Sequence, residues 1–145
     1  MAEAAGTTGP HLDLVQRMGF RAGQVVQELG WDEDCDDDIR LAVEAATGTE
    51  LVGDEHDEVA DSVLLWWRDG DGDLVDGLVD SLTDLVEGGA VWLLTPKVGR
   101  DGYVDATDVS DAAPTAGLTT TTTVPLTERW SAIKLVSPKA ARARR

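Results

Sequence analysis

The chain has 145 residues, the length of one ordinary domain, which removes roughly 68% of its unfolded surface from water and needs no staples. Its 28 Asp and Glu against 12 Lys and Arg give a formal net charge of −16; the single Cys35 excludes an intramolecular disulfide, and no apolar run reaches the roughly 18 residues of a membrane span. Glu28 to Glu87 holds 21 acids against two bases, Arg40 and Arg68, a field that repels phosphate backbones and anionic lipid, so it argues against nucleic acid or a membrane meeting that half of the chain.

Residues 1–10 lack apolar periodicity and read as a disordered N-terminus, residues 138–145 as a basic disordered tail, and residues 11–137 as a single domain. The first residues have neither a basic nor an apolar leader region, so a cytoplasmic protein is expected. His11 to Met18 is a short amphipathic helix closed by Gly19, Gln24 to Trp31 a strand, Asp36 to Thr47 a helix ending at Gly48, and Thr49 to Val52 a brief strand. SVLLWW (Ser62–Trp67) and AVWLLT (Ala90–Thr95) are apolar on both faces, as strands covered on both sides are.

Between these two strands Leu74, Val75, Leu78, Val79, Leu82, Leu85 and Val86 form one apolar stripe at helical spacing, which predicts a helix to Val86 closed by Gly88-Gly89. Burying all seven is worth on the order of 10 kcal/mol before entropy, at about 1.5 kcal/mol each. Asp105 to Ala116 predicts a helix interrupted or ended near Pro114. Leu118 to Val124 and Trp130 to Ser137 are β-rich runs that predict an antiparallel hairpin at the sheet edge.

The segment RDGDGDLVDGLVD (Arg68–Asp80) places carboxylates with EF-hand-like spacing, but Leu74 stands where the calcium loop requires glycine. Asp73 is better read as a helix N-cap with Asp71 and Asp69 beside the positive end of the helix dipole. A weak cation site of Asp69, Asp71 and Asp73 is the alternative, and a cation-stabilised acidic domain the function it implies.

Parallel crossovers followed by a terminal hairpin resemble the Rossmann-like fold of class I methyltransferases. The stretch Asp61–Lys97 looks like that fold's fourth strand, following helix and fifth strand, and Ala116–Val136 like its final helix end and hairpin. The cofactor loop of such enzymes reads acidic-x-Gly-x-Gly-x-Gly after the first strand. In VVQELGWDEDC, Glu28 and Gly30 match its opening, while Asp32 and Asp34 stand at the next two glycine positions. Side chains there block the close backbone approach, and like charges near 4 Å cost about 4 kcal/mol at an effective dielectric of 20. No cofactor is expected on this reading; a residual S-adenosylmethionine site would use Glu28, Gly30 and Asp54. The chain also resembles an uncharacterised, largely actinobacterial family catalogued as a domain of unknown function, through VVQELGWDEDCDDDIR, VLLWWRDGDGDLVD, VWLLTPK, PTAGL and WSAIKLV.

Catalytic groups are scarce. His11 and His56 show no zinc spacing, and His56 sits in an acidic turn. Cys35 is flanked by Asp34, Asp36, Asp37 and Asp38, which raises its thiol pKa and opposes a nucleophilic role. The resulting expectation is a mostly parallel α/β sheet with flanking helices and a C-terminal hairpin, acting as a non-enzymatic binding or regulatory module. Its contact with a protein partner, of basic character, falls to Trp31, Asp32, Glu33, Asp34, Asp36, Asp37 and Lys97 at the carboxyl ends of the strands. The alternative is an atypical S-adenosylmethionine-dependent methyltransferase.

Overall fold

The computed structural model describes residues 11–53 and 59–137. The expectations for residues 1–10 and 138–145, and for Asp54 and His56, lie outside the described residues. In chain order the elements are a helix α1 over residues 11–18, then β1 (Val26–Leu29), α2 (Asp37–Thr47), β2 (Ala60–Trp66), α3 (Leu74–Ser81), β3 (Leu85–Pro96), α4 (Ala106–Thr115), β4 (Thr119–Pro125) and β5 (Trp130–Val136).

The strands form one sheet in the order β1-β2-β3-β5-β4. β1, β2 and β3 run parallel, β5 returns antiparallel to β3, and β4 pairs antiparallel with β5 at the edge. This is the mostly parallel, hairpin-ended sheet that the sequence predicts. β1 carries one further parallel bridge, Gln27 to Val52, on the side away from β2. The chain therefore steps outward from β1 to Val52 and then back across β1 to β2. That reversal is a topological switch point, where doubly wound sheets open a crevice at their carboxyl ends.

Apolar alternation along the strands builds two cores, one on each face of the sheet. Val15, Phe20, Ile39, Val43, Leu64, Trp66, Trp92, Leu94 and Trp130 pack together under α1 and α2. Val63, Leu65, Leu78, Val91, Leu93, Val109 and Leu135 pack on the other face under α3 and α4. Trp66 and Trp67 point to opposite faces, as adjacent strand residues must. Trp66 is fully buried and meets Trp130 edge-on at 4.8 Å and 82°, while Trp67 lies against Gly77 of α3, where a Cβ would stand 2.5 Å from its ring.

Two sequence expectations are corrected. The stretch 49–52 forms only the single bridge at Val52 instead of a strand. The helix of the apolar stripe ends at Ser81, with Leu82 and Thr83 turning back onto the carbonyls of Val79 and Asp80. Leu85 and Val86 belong to β3, where Leu85 pairs with Ala60, and Gly88-Gly89 lies inside that strand. Leu85 packs on the second core from the strand, so its burial is satisfied either way and periodicity alone could not separate the two structures. Of the seven stripe residues only Leu78 is fully buried and Val79 is 49% exposed, so the stripe contributes well below its sequence-based estimate.

Candidate functional site at the carboxyl ends of the strands

β1 ends in Leu29 and the chain turns through Gly30 and Trp31 into the acidic loop that leads to α2. Gly30 has φ +78°, and a Cβ on it would lie 2.2 Å from the Trp66 carbonyl oxygen. Its lack of a side chain therefore serves the close packing of the turn against β2. Glu28, one residue before the strand end, has its side chain 8% exposed. Both of its oxygens are engaged: Arg40 donates through Nε (2.6 Å) and Nη2 (2.9 Å), and the Trp66 indole donates at 2.9 Å. The hydrogen bond with Glu28 in turn raises the pKa of Arg40.

Arg68, two residues past β2, crosses the switch point. Its Nη1 donates to the carbonyl of Gly30 at 2.8 Å, its Nε and Nη2 take both oxygens of Asp34 at 3.0 and 2.6 Å, and Nη1 also reaches Asp71 at 3.3 Å. The guanidinium lies 5.5 Å from the ring centroid of Trp130, whose indole donates to the Asp34 carbonyl at 3.3 Å. Only 13% of the Arg68 side chain is exposed. Burial opposes its charge, but the hydrogen bonds and charge of Asp34, with Asp71, outweigh burial and raise its pKa. Reciprocally, the hydrogen bond from Arg68 holds the Asp34 carboxyl below its ordinary range.

Cys35 sits beside this cluster, 3.2 Å from Arg68 Nη2, and burial pushes its thiol up to about 11. The sequence gives the direction correctly but assigns it to neighbouring carboxylates. Desolvation dominates, and Asp34 contributes only a minor raising effect against the lowering by Arg68.

The acidic loop divides by role. Asp34 is tied to Arg68, Asp36 caps α2 by accepting from the Ile39 amide at 3.2 Å, and Asp37 pairs with Arg40 at 3.2 Å. Asp32 accepts from the next backbone amide at 2.7 Å; it remains solvent-exposed along with Glu33 and Asp38. Trp31 is 52% exposed and lies 5.7 Å from the Arg40 guanidinium. Lys97 is not part of this loop: it follows β3, and its backbone amide donates to the Arg129 carbonyl.

The three carboxylates of the weak cation alternative also part company. Asp73 caps α3 by accepting from Val75, Asp71 accepts from the Arg68 amide and guanidinium, and Asp69 stands in solvent. Among the described residues no three His, Cys, Asp or Glu side chains gather to hold a metal ion. Sequence reasoning missed Arg68 as the hub. Its signal was present: it is one of two bases in the acidic half and it follows a strand end.

The fold is that of the methyltransferase-like Rossmann class. It is similar to the crystal structure of a SAM dependent methyltransferase from Aquifex aeolicus, with a TM-score of 0.59 at 9% identity over 91% of this chain and 92% of that one. It is also similar to the pyocyanin biosynthetic protein PhzM, with a TM-score of 0.63 at 14% identity over 92% of this chain and 55% of that one. By sequence, residues 15–139 match the family described as "Protein of unknown function (DUF3052)", and the chain belongs to that family. The uncharacterized protein Rv2239c of Mycobacterium tuberculosis is 52% identical over 133 residues, 92% of this chain and 84% of that protein.

The end of β1 departs from the glycine-rich loop of the methyltransferase resemblance. The crevice between the ends of β1 and β2 is bridged by the Arg68 side chain, and the loop that would offer bare backbone carries Asp32 and Asp34. Both oxygens of Glu28 already have partners, two donors on Oε2 and one on Oε1.

Proposed function

We propose that this domain is a non-enzymatic binding or regulatory module that docks a basic protein partner through the acidic loop after β1. The observation that carries this reading is the Arg68 bridge. It joins the ends of β1 and β2 by gripping the Gly30 carbonyl and both oxygens of Asp34, which takes that carboxylate out of the exposed acidic set. The same arrangement leaves Asp32, Glu33 and Asp38 exposed in the segment that follows the half-exposed Trp31, an aromatic anchor beside an acidic stretch.

Complementary charge would act mainly on encounter and partner choice, so the interaction should weaken with salt. Affinity capture from the native lysate at low and high salt tests this, with the Asp32→Asn, Glu33→Gln, Asp38→Asn variant as control. Salt-sensitive recovery of one partner that the variant loses is expected. Calorimetry with S-adenosylmethionine is the opposing arm: silence to millimolar concentration is expected, and micromolar binding would replace this reading with the methyltransferase one.

A further inference from the structure

We propose a second, separate site: a cleft at the carboxyl end of β3 that binds a small amphipathic anion, an apolar body bearing one carboxylate or phosphate. It is independent of the partner-docking reading, because it uses none of the acidic-loop residues.

The loop from residue 97 to residue 105 is held in place at several points. The Lys97 amide donates to the Arg129 carbonyl at 2.8 Å, the Arg100 amide to the Lys97 carbonyl at 3.1 Å, and the Gly102 carbonyl accepts from the Asp69 amide at 2.9 Å. Gly102 is required there, since at φ +82° a Cβ would meet Arg68 Cβ at 2.9 Å. This pinned loop walls a cleft of about 550 Å³ against the start of β5, within the size range of small-molecule sites.

The chemistry of the walls is mixed in a definite way. Val98, Val104 and Ile133 supply apolar surface, Thr95 and Ser131 supply hydroxyls, and Lys97 and Arg100 supply positive charge. Val98 is 71% exposed and Tyr103 37%, so the loop holds apolar side chains out at the rim with no core to serve. Arg129 lines the adjoining cleft of about 390 Å³, which shares Pro96, Gly99 and Arg100 with the larger one. In a chain of net charge −16, Lys97, Arg100 and Arg129 converge on this one end of the sheet. None of the three forms an ion pair among the described residues. The acids nearby are Glu128 on the larger cleft, Asp101 on the smaller, and Asp34, which Arg68 already holds. Bases beside exposed apolar side chains in a pinned cleft are suited to an anion with an apolar body.

Calorimetry on the full chain at about 0.15 M salt, where the Debye length of about 8 Å screens the remaining acidic surface, compares 2-naphthoate, its methyl ester and inorganic phosphate. Submillimolar binding of 2-naphthoate is expected, with the ester and phosphate each weaker by at least about tenfold, the worth of one charge-assisted hydrogen bond. Lys97→Gln with Arg100→Gln should weaken 2-naphthoate by about tenfold or more and leave the ester unchanged. Val98→Asp, at an exposed position, provides a second variant with the same expected direction, and Arg21→Gln, an exposed base outside the cleft, should change nothing. The proposal is overturned by equal binding of acid and ester, by phosphate matching 2-naphthoate, by undiminished binding in both cleft variants, or by no 2-naphthoate binding at millimolar concentration.

Discussion

The carboxyl ends of β1 and β2 and the carboxyl end of β3 lie along one rim of one sheet, yet their charges are used in opposite ways. At β1 and β2 every buried charge has a partner: Glu28 holds Arg40 and Trp66, and Arg68 holds Asp34, Asp71 and the Gly30 carbonyl. At β3 the bases Lys97 and Arg100 stand beside an open cleft with exposed apolar residues. The contrast teaches that a crevice at a switch point is a consequence of topology, whereas its availability is decided by side chains. A guanidinium with five donors in a planar fork can satisfy carbonyls and carboxylates from several elements at once, so it can tie together strand ends that a glycine loop would leave apart.

Several changes would break or sharpen that contrast. The largest effect belongs to Gly30→Ala, which forces a side chain at φ +78° into the Trp66 carbonyl; at least about 3 kcal/mol of stability should be lost in urea unfolding. Glu28→Gln removes the buried carboxylate that Arg40 holds through two hydrogen bonds and leaves it only the exposed Asp37; it should cost about 2 kcal/mol by the same measurement, less than a fully buried pair because the Arg40 side chain is 30% exposed. Arg68→Gln should cost about 1 kcal/mol, since Asp34 is largely in solvent, but it should open the β1–β2 crevice to small probes in a ligand-soaked crystal.

The effects on pH dependence are smaller. The Asp34 pKa is lowered by Arg68 from the ordinary 3.8, so its stabilising share is present above that value and is lost as pH falls through the lower folded value. Acid unfolding of Arg68→Gln should lack that share, which comparison of urea midpoints between pH 5 and pH 3 would detect. For Cys35 the folded pKa of about 11 lies above the ordinary 9.0, so the neutral thiol favours the fold below 9 and that share disappears as pH rises toward 11. Iodoacetamide should accordingly alkylate Cys35 far more slowly in the folded than in the urea-unfolded chain at pH 8. Smallest of all, Lys97→Gln should leave stability within about 0.5 kcal/mol, because that ammonium makes no ion pair among the described residues.

Much of the architecture was legible because it rests on local rules. The two apolar strand runs around Leu64 and Leu93, the capping carboxylate of Asp73, and the threonine-rich edge strand each follow from periodicity, capping chemistry or β-branching within a few residues. The end of α3 was not legible. Leu82, Leu85 and Val86 satisfy a helical stripe and a buried strand equally well, and pairing of Leu85 with Ala60, far away in the chain, decides between them. The candidate site was half legible: Asp32 and Asp34 at the glycine positions signalled an altered loop, but no spacing rule relates Arg68 to Asp34 across 34 residues.

By itself, then, the sequence determined the layered α/β sheet, the hairpin at its edge and the displacement of glycine by carboxylate after the first strand, because those depend on side-chain period, backbone freedom and charge within short windows. Only the tertiary structure decided which of those carboxylates remain outward and which are neutralised, and that Lys97, Arg100 and Arg129 share one opening. The physical reason is that charge pairing falls off over a few ångströms in space, a distance that chain position does not encode until the sheet has brought its strand ends together.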